Sequence, residues 1–126
     1  MSQPVDLPAL AARIADHGPT AFLVTVNDDG TPHVVSAVVR TEDEALVLGA
    51  GQRTQANLTR RPKVTLLWPA GPDPAYSLIV DATYVADGEA AHDQTVGEVT
   101  LVPRAAVLHR VAGSLGEGPN CIPVGD

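Results

Sequence analysis

The stretch Leu48-Gly49-Ala50-Gly51-Gln52-Arg53-Thr54-Gln55-Ala56-Asn57 holds the residue types best suited to binding chemistry. It runs from an apolar segment through two glycines into a helix-forming composition. Unpaired backbone N–H groups at a helix start carry partial positive charge, and with the Thr54 hydroxyl and the Arg53 guanidinium they make a cradle for a phosphate. A plainer reading stays open, in which Gly49 and Gly51 merely turn the chain and the arginines are solvated. The basic residues are concentrated here: Arg53, Arg60, Arg61 and Lys63, four of the eight in the chain, fall within eleven positions, while the net charge is −7.

The remaining reactive side chains point less clearly to a site. His17, His33, His92 and His109 are scattered singly, without the i, i+4 pairing that a metal site on one helix uses, so no metal site is expected. His109, in an apolar run, reads as a structural histidine more readily than as a ligand contact. Trp68, ahead of a proline-rich loop, reads as the plug of a barrel end rather than a stacking platform. Cys121 is the only cysteine, which rules out an internal disulfide and a cysteine zinc box. It lies in a glycine-rich setting without nearby basic residues to lower a thiol pKa, so it is not proposed as a nucleophile. The acidic run Glu42-Asp43-Glu44 reads as a solvated turn. No catalytic dyad emerges.

These groups need elements to position them. Leu7, Leu10, Ala11 and Ile14 recur at helical spacing, with Asp6 as N-cap, Pro8 in the first turn and Gly18 as a stop, so residues 7–17 are expected to form an amphipathic lid helix. Thr20 to Val26 and Pro32 to Val39 are β-rich runs joined by Asn27-Asp28-Asp29-Gly30, whose residues tolerate left-handed dihedrals; they predict a hairpin. Ala45 to Gly49 reads as a buried strand. Gln52 to Arg61 reads as a short helix ended by Pro62, which disfavours helical backbone in the residue before it. Lys63–Trp68 and Tyr76–Val85 are further strands, although alternation in the second leaves its buried face open. Residues 69–74 and 86–95 read as loops. Val96 to Val111 is a last extended stretch in which Pro103 marks a bulge or an edge. The glycine-rich residues 112–126 are expected to form an extended or partly ordered tail.

Six strand-like runs, one central helix and a lid helix, without strand–helix alternation, indicate a mainly β chain closed as an antiparallel barrel. At 126 residues a single domain over 1–126 is expected, with its barrel over 20–111. With one Phe, two Tyr and one Trp, the core must be aliphatic, and such a barrel gains from burying a flank against a second copy. The negative charge argues against broad nucleic-acid or membrane-surface binding. No apolar run approaches the ~20 residues needed to cross a bilayer, and the N-terminus lacks a signal-peptide pattern, so a cytoplasmic address is expected.

Three motifs in order resemble the flavin-binding split barrels related to pyridoxamine 5′-phosphate oxidase. They are the strand–turn–strand from Ala21 to Ser36, the helix Arg53 to Pro62 and the strand Val64-Thr65-Leu66-Leu67-Trp68, within a likeness spanning about residues 7–111. The resemblance implies a six-stranded split β-barrel with short flanking helices, a homodimer, and FMN or a deazaflavin coenzyme in clefts between subunits. It also implies that Gly51, Gln52, Arg53, Thr54 and Asn57 surround the cofactor phosphate, while Ser36, Ala37 and Val38 present backbone to the ring. Two departures stand out. Thr54 occupies the position after Arg53 where relatives commonly carry Lys. Val107-Leu108-His109-Arg110 is only a faint echo of the closing motif of the vitamin oxidases, so vitamin oxidation is not expected. The implied activity is a flavin- or deazaflavin-dependent oxidoreductase acting on a small molecule. The alternative is a non-catalytic binding protein on the same barrel that has weakened or lost its cofactor.

Overall fold

The computed structural model describes residues 6–70, 76–86, 96–110 and 121–124. Helix α1 (Leu7–His17) begins where the sequence places it: Asp6 Oδ1 accepts from the Ala9 N–H at 3.3 Å and Pro8 sits in the first turn. It ends at Gly18, whose φ of 95° is one that residues with a Cβ rarely adopt and whose N–H returns to the Ile14 carbonyl at 2.8 Å.

Strands β1 (Thr20–Val26), β2 (Pro32–Glu42) and β3 (Ala45–Gly51) follow, then α2 (Gln52–Arg60), β4 (Lys63–Trp68), β5 (Tyr76–Val85), β6 (Val96–Arg110) and β7 (Cys121–Pro123). The pairings run β3-β2-β1-β4-β5-β6, and β3 also pairs with β6, which closes an antiparallel barrel of six strands. Closure leaves none of these six as an edge. Strand β7 adds a seventh, beside the C-terminal half of β6, so part of the expected extended tail is built into the sheet. Of the predicted loops, residues 71–74 and 87–95 lie outside the described residues, as do 111–120 of the β6 end and tail.

Alternation fixes which side chains enter the barrel. Leu23 and Thr25 of β1, Ala37 and Val39 of β2, Leu66 and Trp68 of β4, and Leu78, Val80 and Ala82 of β5 are buried. The core is aliphatic apart from Trp68, as the composition requires, and α1 seals one end through Leu10 and Ile14. Trp68 is fully buried and its Nε1–H donates to the Gly18 carbonyl at 3.0 Å, so the plug of the barrel end is also tied to the end of the lid helix. Pro103 does mark a bulge: Ala82 is opposite Pro103 whereas Asp81 is opposite Ala105, which leaves Arg104 as the extra residue. The insertion resets the alternation, so that Val99, Leu101 and Pro103 point inward before it and Ala106 and Leu108 after it. Among the described residues, no helix is long and apolar enough to cross a membrane.

Candidate functional site

Helix α2 and the β1–β2 hairpin turn form the walls of one cleft of about 730 Å³. From α2 come Gln52, Arg53, Ala56, Asn57 and Arg60; from the turn come Asn27, Asp28 and Asp29. Arg53, Ala56, Asn57 and Arg60 are spaced i, i+3, i+4, i+7, which places them on one helix face. Ala56 contributes only a methyl group between the two arginines, and that small side chain leaves the cleft open.

The start of α2 supplies unpaired donors. Gly51 is its N-cap and brings no side chain, so no side-chain cap occupies the N–H groups of the first turn. The helix stops at Arg60 because Arg61, ahead of Pro62, takes extended backbone at φ −135° and ψ 88°. Gln52 and Arg53 are exposed at the cleft mouth.

Thr54 and Asn57 are turned inward, 2% and 4% exposed. The Asn57 side-chain amide donates to Thr25 Oγ1 at 3.1 Å and to Asn27 Oδ1 at 3.0 Å, which fastens α2 to the hairpin. The turn is itself braced: Asn27 N–H donates to the Thr31 carbonyl, Gly30 N–H to the Asn27 carbonyl, and the Asp29 carboxylate accepts from the backbone N–H and hydroxyl of Thr31. Those Thr31 bonds, side chain first, hold the Asp29 carboxyl below its ordinary pKa.

The arginines of this region fall into two groups. Arg60 Nη1 lies 2.5 Å from Asp28 Oδ2 and Arg61 Nη2 lies 2.9 Å from Asp28 Oδ1, so one carboxylate serves two guanidiniums. Hydrogen bonds from Arg61, and then Arg60, hold the Asp28 carboxyl below its ordinary range. Arg53 makes no close ion pair among the described residues, although its charge acts on the Asp29 carboxylate across the cleft.

Gln52, Arg53 and Asn57, expected at the phosphate, therefore converge on the cleft, with Gly51 adjoining as the helix cap and Thr54 facing the core. Ser36, Ala37 and Val38 sit elsewhere, on β2 opposite Phe22, Ala21 and Thr20, and do not line this cleft. Asn27, Asp28 and Asp29 line it without having been singled out from sequence beyond their role as turn formers. Among the described residues no three His, Cys, Asp or Glu side chains cluster as a metal site.

The six-stranded barrel agrees with a family match over residues 7–117, to the model described as pyridoxamine 5′-phosphate oxidase. The chain belongs to the pyridoxamine 5′-phosphate oxidase family. An uncharacterised protein of Mycobacterium tuberculosis (strain CDC 1551 / Oshkosh) is 39% identical over 121 residues, covering 86% of this chain and 82% of that one. Solved structures share the fold at low identity. An F420 reductase aligns with a TM-score of 0.56 and 19% identity over 72% of this chain and 91% of its own. The haem storage protein HutZ of Vibrio cholerae aligns with a TM-score of 0.57 and 17% identity over 81% of this chain and 92% of its own. The proteins that share this barrel architecture thus include a reductase and a haem storage protein.

Proposed function

We propose that this family member is a flavin- or deazaflavin-dependent oxidoreductase that grips the phosphate of its cofactor at the start of α2 and works as a cytoplasmic homodimer. The observation that carries the reading is the pairing of a helix start that lacks a side-chain cap with Arg53, a cation that makes no close ion pair among the described residues. That donor set suits a phosphate monoester: backbone N–H groups and the Gln52 side-chain amide can donate hydrogen bonds to its oxygens, and Arg53 supplies positive charge. When bound, the flavin supplies the hydride chemistry. The chain's own residues would orient it.

The homodimer draws support from the outer barrel face. Phe22, Val26, Val34 and Val38 are exposed on β1 and β2, with Val38 66% exposed and Val34 55% exposed. Exposed apolar clusters of this kind are usually interaction surfaces.

A second reading, a binding protein that does not turn over its ligand, is favoured by Thr54. Where relatives commonly place Lys, this side chain is uncharged and faces the core.

Absorption spectra of the purified protein, taken with FMN and with a deazaflavin added in turn, test both readings. Binding is expected, and Arg53→Gln is expected to weaken it about tenfold, the scale of one charge-assisted hydrogen bond. Uptake of neither cofactor rejects the oxidoreductase; uptake without reduction by any hydride donor favours the second reading.

A further inference from the structure

We propose that Asp28 sets the anion affinity of the α2 cleft by holding Arg60 in reserve: a phosphate-bearing ligand draws Arg60 away, while Asp28 stays paired with Arg61. The inference rests on the reading above that the cleft takes a phosphate, and it adds the residue pair that tunes how tightly.

Three features of the cleft support it. First, Arg53 and Arg60 share a helix face and are about 10 Å apart along the axis, from the rise per residue of an α-helix. Helical side chains lean toward the N-terminus, so Arg60 reaches back over the turn occupied by Ala56, in the direction of Arg53. Between them on the cleft wall lie the Ala56 methyl group and Asn57, whose side chain is turned inward and buried.

Second, the carboxylate is shared in a way that permits exchange. Each Asp28 oxygen carries its own arginine, Oδ2 with Arg60 and Oδ1 with Arg61. Departure of Arg60 therefore leaves the Asp28 charge compensated. Arg61 is further anchored by its Nη1–H to the Val26 carbonyl at 3.2 Å, a bond that Arg60 does not have, so Arg60 is the partner free to leave.

Third, the exchange is cheap and the frame does not move. Asp28 and Arg60 are both more than half exposed, and ion pairs in water are individually weak. The turn carrying Asp28 is fixed independently by Asn57, Thr31 and Gly30. An arriving anion thus meets Arg53 without a close ion pair and competes with Asp28 for Arg60 alone.

The test measures FMN binding by fluorescence quenching, with riboflavin as the ligand lacking phosphate and inorganic phosphate as competitor. Asp28→Asn is expected to tighten FMN and inorganic phosphate by roughly fivefold, the ceiling for one exposed ion pair, and to leave riboflavin unchanged. Arg61→Gln is expected to act in the opposite direction, because Asp28 then depends on Arg60, and its effect should vanish in the Asp28→Asn background. Arg60→Gln should cancel the gain of Asp28→Asn. Opposite signs for Asp28→Asn and Arg61→Gln separate the exchange from simple loosening of the turn, which would move both the same way. If FMN binds through Arg53 but Asp28→Asn leaves it unchanged or weaker, the reserve role of Arg60 is overturned and the phosphate site stands. If neither FMN nor phosphate binds the wild type or Asp28→Asn, or if Arg53→Gln changes nothing, the phosphate reading fails and this inference falls with it.

Discussion

The Asn57 side-chain amide of α2 donates to the Asn27 side-chain oxygen at 3.0 Å, across thirty residues of chain. The same nitrogen reaches Thr25 Oγ1, so a single buried amide joins the helix that starts the cleft to the hairpin that walls it. Replacing Asn57 with Leu removes both bonds and leaves the hydroxyl of Thr25, itself buried, without its donor. The expected cost is about 1–3 kcal/mol, the penalty for stranding a buried polar group. Urea unfolding should register it as a lower midpoint with an unchanged slope, since the surface exposed on unfolding stays the same. A phosphate-bearing ligand should also bind more weakly, because the two walls are no longer registered.

Trp68 and Gly18 make the corresponding joint at the other end of the chain's fold. The indole fills the barrel end and donates to the carbonyl of a residue whose positive φ stops the lid helix. Trp68→Phe keeps an aromatic plug but loses the N–H and part of the volume, and is expected to destabilise by about 1–3 kcal/mol. Gly18→Ala meets no atom in its way, yet the backbone there is strained for any residue with a Cβ, so about 1 kcal/mol is expected from conformation alone. Thermal melts of the two single variants and the double variant should show less than additive loss, because both act on one joint.

The acid limb of stability should trace to surface carboxylates. Asp28 is held below its ordinary 3.8 by Arg61 and Arg60, and Glu98 below its ordinary 4.5 by Arg40, which links β2 to β6 across β3. A carboxyl whose folded value is depressed contributes above its unfolded value and loses that contribution as pH falls through the folded one. Stability that is level near neutrality should therefore decline once pH drops beneath 4.5, first through Glu98 and then through Asp28. Asp28→Asn and Glu98→Gln should flatten that decline, with little change at pH 7 because all partners are exposed. Denaturant titrations at a series of pH values check it, and raised salt should shrink the difference.

Much of the architecture is legible because particular residues leave the chain few options. Asp6, Pro8 and Gly18 bracket the lid helix, Pro62 stops α2, and Pro103 can lie in β6 only where the ladder is broken. The open face of β5 has a physical cause. Ile79 lies on the outer side opposite Leu67, beside Ser77, Asp81 and Thr83, while Leu78, Val80 and Ala82 fill the core, so one large apolar residue on the polar face blurs the alternation. The outer face carries a wide apolar band of its own, and alternation loses contrast wherever such a band crosses a strand. Within the site, the helix start and Arg53 could be read from glycine spacing and charge density. Asp28 could not, because its pairing with Arg60 spans thirty-two residues and follows no period. The only signal was that an acidic turn and a basic helix end sit in neighbouring elements. The orientation of Thr54 was equally hidden, since a threonine in the first turn of a helix faces either way until the barrel beneath it is closed.

That apolar outer band leads to the last expectation. Val24 is opposite Val34, Phe22 is opposite Ser36 on one side and Leu67 on the other, and Leu67 is opposite Ile79, so the band runs across β2, β1, β4 and β5. If a second copy covers it, a charge placed there must be buried unpaired twice in a symmetric dimer, once for each copy. Val34→Glu should then convert the dimer to a monomer in sedimentation experiments at micromolar concentration. The barrel itself should survive, because Val34 is exposed in one copy and substitutions at such positions typically shift stability by no more than about 0.5 kcal/mol. Cofactor affinity discriminates further. A cleft completed by the partner subunit should lose its ligand together with the dimer, whereas a cleft built by α2 and the hairpin alone should keep it. Wild-type protein that sediments as a monomer at these concentrations would remove the dimer, and the phosphate contact proposed for Arg53 would then have to be made within one chain.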